Sequence, residues 1–576
     1  MGIESLLING NLTTDKESIA HNLNIYFTEI AQKLRVNIPP SRTEFTEYLK
    51  PAELTSFVMY PTFPAEILSL SSSINLSRSI GPDHLDPIII KDNLANIINP
   101  LTKIFNSSLE TGIIPDKLKL ATVIPIFKQG NREDIGNYRP ISISPYFSKL
   151  MEKIVYYRLN DYVTKKNIIH NSQHGFRKGH STVLPLISIQ DKITQAIERN
   201  EFSIGIFLDL SKAFDTVDHD ILIKKLANYG IRDIPLLWFT NYLSNRYQQV
   251  KCNGVVSSFL PTKFGVPQGS ILGPLLFLIY INDLSRASKL LEFVNFADDS
   301  NVFYSNSSYN ELFQIVNTEL SNISDWFKAN KLSLNINKTN YILFSTPRKP
   351  LPPALPILSI DSIEIPQVRT TKFLGIYVDQ HLTWNEHIDQ IANKIAKNIG
   401  IIKRISYLLT SKVLLMLYYS MIYPYLSYCN FVWASNYNSR LNRLIILHKR
   451  IVRIMTRSTY LEHTQPLFSR LGLLNLNQIT TFQISVFMFK SLNNLLPHDF
   501  LKITQLNSDY HNYNTRISSL PRSEFARTNY RKFTIKCIGP YVWNKLPTEF
   551  RCLNFSPFKN KIRLWLLTHN INITST

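Results

Sequence analysis

Cysteine is scarce in this sequence. Only four occur in 576 residues, at positions 252, 429, 537 and 552, and none are in Cys-x-x-Cys spacing. This pattern argues against a zinc module and a disulfide framework, so reduced thiols are expected. The first residues also lack a basic flank followed by a long apolar run, so no secretory signal is expected. We therefore expect an intracellular protein, in the cytoplasm or the nucleus, that is not secreted.

Acidic residues are absent from the segment 394–457, which carries eleven lysines and arginines. The whole chain has a formal net charge of +21 and is 44% apolar, which indicates a globular protein with a polyanionic partner, either nucleic acid or an acidic membrane surface. Apolar residues at helical spacing between Leu441 and Met455 predict a basic amphipathic helix. A charge run is usually a solvated face, but this one has no counter-charge, and backbone phosphates would supply it.

One uncharged run raises the question of whether the chain spans a membrane. The 22 residues from Val413 to Ala434 contain no charge, which is long enough to span a bilayer. The run also contains Pro424, Asn430, several tyrosines and two serines. A buried helix pair broken at Pro424 explains this composition better than a membrane span. No membrane partner is expected.

Two adjacent carboxylates, Asp298 and Asp299, lie between short apolar runs at 291–296 and 302–304. Apolar–turn–apolar over this length predicts a β-hairpin with the pair at its tip. Two charges in one small volume repel and need a cation, and oxygen-only ligation indicates Mg²⁺ or Mn²⁺ rather than zinc. Taken alone, a solvated turn is the commoner explanation for such a pair.

A further carboxylate, Asp209, closes an apolar strand predicted over residues 203–210. A carboxylate in that position is costly unless it is ligated or paired. If neighbouring strands of one antiparallel sheet bring Asp209 to Asp298, the carboxylates can bridge two cations about 3.5–4 Å apart.

Basic residues flank a second predicted hairpin, formed by residues 122–128 and 137–143. Lys128 and Arg139 would give a two-point grip on phosphates, with the arginine able to bind in a bidentate manner. The alternative is that both are ordinary solvated bases at strand ends.

Two glycine-containing loops complete the candidates. Gln268 stands between Gly265 and Gly269, where glycine permits close backbone approach and glutamine offers a donor and an acceptor to a base or sugar. His174 and His180 lie in a glycine-bracketed basic loop without a nearby third ligand, so structural roles are favoured over metal binding.

Together these segments resemble the reverse transcriptases of non-LTR retrotransposons, particularly the jockey-like group. The similarity covers roughly residues 80–460 and weakens towards the end of the chain. It is carried, in order, by Lys128, Asn137–Ser142, Gln173–Arg177, Phe207–Asp209, Ala213–Asp215, Gly265–Gly273, Phe296–Asp299, Trp326–Thr339 and Lys372–Ile376.

The resemblance implies an α+β fold, a right-hand polymerase with fingers, an antiparallel palm sheet and a helical thumb. We expect an N-terminal helical extension over 1–78, fingers and palm over 79–379, a basic helical thumb over 380–460 and a basic C-terminal extension over 461–576. The implied activity is RNA-directed DNA polymerisation, in which a primer 3′ hydroxyl attacks a deoxynucleotide. The implied partners are an RNA template, a DNA primer and dNTPs, with two Mg²⁺ or Mn²⁺ ions as cofactors.

The resemblance also implies roles for single residues. Asp209, Asp298, Asp299 and the Leu210 carbonyl would form the metal site, and Lys338 is a candidate proton donor to the leaving group, with a solvated lysine as the alternative. Phe214 would be a steric gate against the 2′-hydroxyl, unless it is plain core. Substrate binding would fall to Lys128, Arg139, Gln268 and Gly269, and nucleic-acid binding to Arg177, Lys403, Arg404, Lys449, Arg450 and Arg453.

Two departures from the family pattern leave an alternative. His84 replaces the glycine that usually follows the turn Gly81–Asp83, and an endonuclease ahead of the polymerase is apparently lacking. A catalytically silent, nucleic-acid-binding relic is therefore the second hypothesis. Intact Asp209, Asp298 and Asp299 favour the active enzyme, because their loss would not harm binding.

Overall fold

The computed structural model describes the chain with short gaps, over residues 2–8, 10–74, 80–350, 356–501, 503–509 and 518–571. The predicted boundary between residues 78 and 79 lies outside these described residues. The strands are β1 (Leu6–Ile8), β2 (Asn11–Thr13), β3 (Leu120–Phe127), β4 (Tyr138–Ile143), β5 (Phe202–Leu208), β6 (Arg246–Cys252), β7 (Val255–Val256), β8 (Leu260–Thr262), β9 (Glu292–Phe296), β10 (Asp299–Asn306), β11 (Asn340–Phe344), β12 (Ser359–Ile360), β13 (Ile363–Glu364), β14 (Thr370–Phe373) and β15 (Ile376–Asp379).

Helices surround and follow these strands. They are α1 (Lys16–Val36), α2 (Pro64–Ser72), α3 (Pro87–Asp92), α4 (Leu94–Thr111), α5 (Tyr146–Lys165), α6 (Val183–Glu198), α7 (His219–Asn228), α8 (Asp233–Leu243), α9 (Gly273–Ile281), α10 (Tyr309–Ala329), α11 (Asn385–Ile405), α12 (Ser411–Met421), α13 (Tyr423–Ser427), α14 (Asn430–Trp433), α15 (Asn438–Thr456), α16 (Thr464–Leu471), α17 (Leu476–Leu492), α18 (His498–Leu501), α19 (Asn529–Lys532), α20 (Ile535–Asn544), α21 (Thr548–Arg551) and α22 (Phe555–Leu566).

A four-stranded antiparallel sheet, in the order β11–β5–β10–β9, forms the centre of the part of the chain that precedes α11. Every residue of β5 is buried, because α10 packs on one face of the sheet and α6 on the other. This two-sided burial explains why β5 is apolar without alternation. The mixed α and β composition and the antiparallel sheet are as expected, although β5 ends at Leu208 and not at Leu210.

A five-stranded sheet lies beside it, in the order β4–β3–β6–β7, with β8 also paired to β6. Strands β3 and β4 form the predicted hairpin, in which Ile126 is paired with Arg139. Helix α1 packs on this sheet, and its fully buried Asn24 donates to the carbonyl oxygens of Gln248 and Ser258 at 3.2 and 2.9 Å.

The expectation of a purely helical N-terminal extension was therefore incomplete. A short hairpin, β1–β2, precedes α1, and the helix begins at Lys16, where Asp15 caps it by accepting from Ser18 N–H at 2.8 Å. Because Asn24 joins α1 to β6, this segment belongs to the same folded unit as the second sheet.

From α11 onwards, the described part of the chain is mainly helical. Helices α11 and α15 pack against each other, and α17 packs against both α20 and α22. The uncharged run at 413–434 forms α12, α13 and α14, with Pro424 in the first turn of α13, where its missing N–H leaves no hydrogen bond unmade. Among the described residues, no helix is long and apolar enough to cross a membrane.

Candidate active site

The β9–β10 turn presents Asp298 at the end of the four-stranded sheet. Ala297 adopts a left-handed conformation with φ of 55°, and its backbone is held on both sides by one buried glutamine. Gln173 Oε1 accepts from Ala297 N–H and from Gly175 N–H, each at 2.8 Å, and Gln173 Nε2 donates to the Ala297 carbonyl at 3.2 Å. The predicted hairpin is confirmed, and its tip is fixed by a loop 124 residues away in sequence.

Asp209 directly follows β5 and is held through its backbone. Its N–H donates to Thr339 Oγ1 at 3.3 Å, and its carbonyl accepts from Asn335 N–H at 2.8 Å. Both partners belong to the loop that leads into β11. This loop therefore fixes the Asp209 backbone. Neither of these hydrogen bonds uses the Asp209 carboxylate.

The next residue offers a carbonyl to the same side. Leu210 is paired with Leu334 in an antiparallel bridge whose hydrogen bonds are made by its neighbours, including Ser211 N–H to the Ser333 carbonyl at 2.9 Å. In such a pair, the N–H and C=O of the central residue point away from the partner strand. The Leu210 carbonyl thus points away from the Leu334 loop, towards the side on which β10 lies.

Sheet register brings the carboxylates to one edge. Ser300 and Leu208 form the last pair of the two strands, so Asp299 and Asp209 each lie one residue beyond it, at the same end of the sheet. Partial burial and then repulsion from Asp298 and Asp209 raise the pKa of Asp299 to about 6. Burial and the charge of Asp209 also raise the pKa of Asp298.

The carboxylates share an edge without forming a closed cage. Within the described ranges, no three His, Cys, Asp or Glu side chains are gathered tightly enough to ligate one ion. The site is an open edge with mutually repelling oxygens. This arrangement suits Mg²⁺, which is commonly bound through one or two carboxylates and completes its shell with water and substrate phosphates.

Positive charge faces this edge from the β3–β4 hairpin. Lys128 and Arg139 are both exposed, and their charges lower the pKa of Asp298 against the effect of burial. Lys128 N–H donates to the Asn137 carbonyl at 2.9 Å, which closes the hairpin. The two predicted phosphate ligands are therefore brought to the carboxylates by the fold.

Phe214 and Gln268 lie on two segments that pair with each other. Val266 N–H donates to the Phe214 carbonyl at 2.9 Å, and Gln268 Nε2 donates to Asp215 Oδ1 at 2.8 Å. The Phe214 ring is half-buried and stacks on Phe277, with centroids 4.4 Å apart. Part of the ring is thus packed and part remains accessible.

The remaining candidate residues of the loops are Lys338, Arg177, His174 and His180. Lys338 is exposed and lies in the loop that holds Asp209. The Arg177 guanidinium donates to the carbonyl oxygens of His170 and Gln173 at 3.3 and 3.0 Å, so it braces its own loop. His174 Nδ1 lies 3.2 Å from His180 Nδ1, and burial lowers the pKa of His174 to about 3 and that of His180 to about 4, consistent with structural roles.

The basic helices show the expected two faces. On α15, Leu441, Leu444, Ile451 and Val452 are buried, while Lys449 and Arg450 are exposed, which confirms the amphipathic pattern. Lys403 and Arg404 are exposed in the last turn of α11, which packs on α15. Arg453 differs, because its Nε donates to the Glu462 carbonyl at 2.9 Å.

Sequence reasoning gave no role to the residues that hold the carboxylates in place. Gln173 is only 2% exposed and clamps the turn, and Thr339 and Asn335 hold Asp209. One signal was present in the sequence, a glycine at position 175, two residues after Gln173. A Cβ at Gly175 would lie 2.3 Å from Ala297 N. Such close backbone approach is the reason for a glycine there.

Comparison with known proteins identifies a family for part of the chain. Residues 126–378 match a family described as reverse transcriptase (RNA-dependent DNA polymerase). The chain contains a reverse transcriptase domain. The matched range contains the strands from β4 to β11. It also contains Asp209, Asp298 and Asp299. The resemblance seen in the sequence is confirmed.

Three of the curated proteins that are similar to this chain come from transposable elements of Drosophila melanogaster. The chain is 30% identical over 426 residues to a probable RNA-directed DNA polymerase from transposon BS, covering 70% of this chain and 46% of that protein. It is 28% identical over 408 residues to the corresponding X-element protein (69% and 44%). It is 28% identical over 468 residues to the RNA-directed DNA polymerase from mobile element jockey (78% and 49%). The chain spans about half the length of the curated relatives it matches.

Proposed function

We propose that this chain is the RNA-directed DNA polymerase of a non-LTR retrotransposon. The observation that carries the proposal is the meeting of Asp209, Asp298 and Asp299 at one edge of an antiparallel sheet, facing Lys128 and Arg139. Oxygen ligands opposite cationic side chains suit a reaction that is mainly positioning and charge neutralisation of phosphates.

The fold supports an assignment to a right hand. The four-stranded sheet with α6 and α10 serves as the palm and the β3–β4 hairpin as part of the fingers, within residues 79–379. The helices of residues 380–460 serve as the thumb, and residues 461–576 form the C-terminal extension. The grip on nucleic acid comes from the exposed bases of α11 and α15, which offer charge without sequence preference.

The donor set fits a divalent cation. Asp209, Asp298 and the Leu210 carbonyl would hold two Mg²⁺ or Mn²⁺ ions, with Asp299 nearest the primer end. When bound, the ions supply charge neutralisation at the attacking oxygen and at the leaving pyrophosphate. The support for this assignment is that burial and then repulsion from neighbouring carboxylates raise the pKa values of Asp298 and Asp299, because a cation would relieve the repulsion.

The remaining side chains then take substrate roles. Lys128 and Arg139 bind the triphosphate, where a guanidinium can make paired hydrogen bonds. Gln268 and Gly269 lie beside the new base pair, and the accessible part of the Phe214 ring excludes a 2′-hydroxyl. Lys338 is the candidate donor of a proton to the leaving group. The substrates are an RNA template, a DNA primer and dNTPs.

A primer-extension assay on an RNA template tests this proposal. We expect dNTP incorporation that requires Mg²⁺ or Mn²⁺ and is abolished by Asp209→Asn and by Asp298→Asn. Asp220→Asn serves as the control, because Asp220 is exposed on α7, outside the proposed site. Primer-template binding without any extension by the wild-type chain would reject the polymerase in favour of a silent binding relic.

A further inference from the structure

The Gln268 residue is fixed at its backbone. Its carbonyl oxygen accepts from Ser142 N–H at 2.7 Å, at the end of β4. Gly269 follows with φ of 119°, and a Cβ there would lie 2.6 Å from the Ser142 carbonyl oxygen. Only glycine permits this approach, so the peptide after Gln268 has one position on β4. The side chain of Gln268 therefore starts from a defined point.

Asp215, the partner of that side chain, is fixed as well. Its N–H donates to the Lys212 carbonyl at 2.8 Å. Gly265 approaches it so closely that a Cβ at Gly265 would lie 2.7 Å from the Asp215 carbonyl oxygen. Burial raises the pKa of Asp215 to about 6, although the hydrogen bond from Gln268 and the charge of Lys212 lower it, so the carboxyl group is mainly ionised at neutral pH.

An ionised carboxylate can only accept hydrogen bonds, whereas a glutamine amide has a donor end and an acceptor end. The bond of 2.8 Å between Gln268 Nε2 and Asp215 Oδ1 therefore fixes which end is used. The NH₂ group faces Asp215, and Oε1 is left as the outward, accepting end. A neutral partner would allow both orientations.

This pair shares charged neighbours with the carboxylates. Lys212 Nζ donates to the Tyr138 carbonyl at 3.2 Å, beside Arg139. The charges of Lys128 and Arg139 act on Lys212 and also on Asp298. The Lys212–Asp215 segment and the Asp298 turn therefore lie near the same two cationic side chains, Lys128 and Arg139.

We infer that Asp215 is a positioning residue that fixes the Gln268 amide so that Gln268 Oε1 accepts a hydrogen bond from the incoming nucleotide. This inference rests on the proposed polymerase function. Asp215 does not itself touch the nucleotide, and it acts through Gln268 alone.

The test is a double-mutant cycle on the full chain. Asp215→Asn keeps the shape of the side chain but removes its preference for the donor end of the amide. We expect the KM for dNTPs to rise about 10-fold with little change in kcat, since one net hydrogen bond is worth about 1.4 kcal/mol. Gln268→Ala should cost at least as much, and D215N/Q268A should be no worse than Q268A. Asp220→Asn is the matched control for loss of a nearby carboxylate.

A compensating pair separates positioning from general packing. Q268E alone sets two carboxylates against each other, whereas in D215N/Q268E the asparagine can donate and an acceptor still faces outward. The double variant should therefore recover dNTP affinity relative to Q268E. The inference would be overturned if the effects of D215N and Q268A on the KM for dNTPs multiplied in the double variant. It would also be overturned if D215N lowered only kcat and Tm.

The affinity of each variant for dNTPs can be measured without catalytic turnover. The dNTP Kd of each variant is measured on a chain-terminated primer-template, where binding occurs without extension. The expected order of Kd values supports the role of Asp215 even if the wild-type chain fails to extend a primer, which would instead refute the proposed function. Equal Kd values for wild type and D215N would overturn the inference while leaving the polymerase intact.

Discussion

Phe214→Ala separates a gating ring from a core ring. Phe214 stacks on Phe277 with an interplanar angle of 23° and meets Phe176 edge-on at 6.2 Å, yet it stays half-buried. If the accessible part of the ring lies under the sugar, its removal makes room for a 2′-hydroxyl. The variant should then accept ribonucleotides while it continues to incorporate deoxynucleotides.

Two magnitudes follow from this geometry. Truncating a fully buried phenylalanine costs about 3–5 kcal/mol, and a half-buried ring should cost roughly half of that in the free energy of unfolding. Forcing an extra group into a packed site costs about 1–3 kcal/mol, which corresponds to roughly 5- to 150-fold in discrimination between the two sugars. The variant should therefore lose some stability and much of its sugar selectivity.

The assay compares kcat/KM for rNTPs and dNTPs on one RNA template, together with Tm. Phe277→Leu is the matched control, because Phe277 is fully buried against Phe214 and should lower Tm without changing the sugar ratio. Phe214→Tyr keeps the bulk of the ring and should keep the selectivity. Equal loss of activity towards both sugars in Phe214→Ala, with a lowered Tm, would show that the ring is core.

Three further predictions concern charge and the hydrogen bonds of the site. Because folding raises the pKa of Asp299 from 3.8 to about 6, its ionised form is destabilising at neutral pH. Asp299→Asn should therefore raise Tm at pH 7, with the gain disappearing as the pH falls from about 6 to about 4. Lys449→Ala and Arg450→Ala should each reduce the salt slope of primer-template binding by about one, whereas Arg443→Ala, already paired with a carboxylate at 2.6 Å, should reduce it less. Gln173→Ala should leave two buried N–H groups unpaired, costing about 1–3 kcal/mol each, with loss of extension activity at temperatures where the fold persists.

Local sequence pattern was enough to predict the strands and turns of the site. The apolar run of β5 ends at a carboxylate, and the Asp298–Asp299 pair sits between two strand-like runs. Both features are decided by neighbours within ten residues, where alternation and turn residues act directly. The same holds for α15, whose buried and exposed positions follow helical spacing.

Long-range contacts could not be predicted in the same way. The pairing of β10 with β5 brings Asp209 and Asp299 to the same end of the sheet, and a shift of one residue would turn either strand's side chains to the other face. Gly175 indicates a close backbone approach beside Gln173, but nothing in the local sequence identifies Ala297 as the partner, and nothing local to Thr339 indicates that it holds Asp209. Likewise, Asn24 looks like a surface residue in sequence, although it is fully buried where α1 joins the second sheet.

The hydrogen bonds of the site explain how repelling carboxylates are kept together. The backbone of Asp209 is bonded on both sides by the loop that leads into β11, and the turn at Ala297 is bonded by Gln173. These bonds act on main-chain atoms, so the carboxylates remain free to interact with a ligand while their separation is set by the sheet. Burial and then repulsion from the neighbouring carboxylates raise the pKa of Asp299, and a bound cation would relieve that repulsion without moving the chain. Substitutions that loosen Gln173 or Thr339 should therefore weaken cation binding although neither side chain is a ligand.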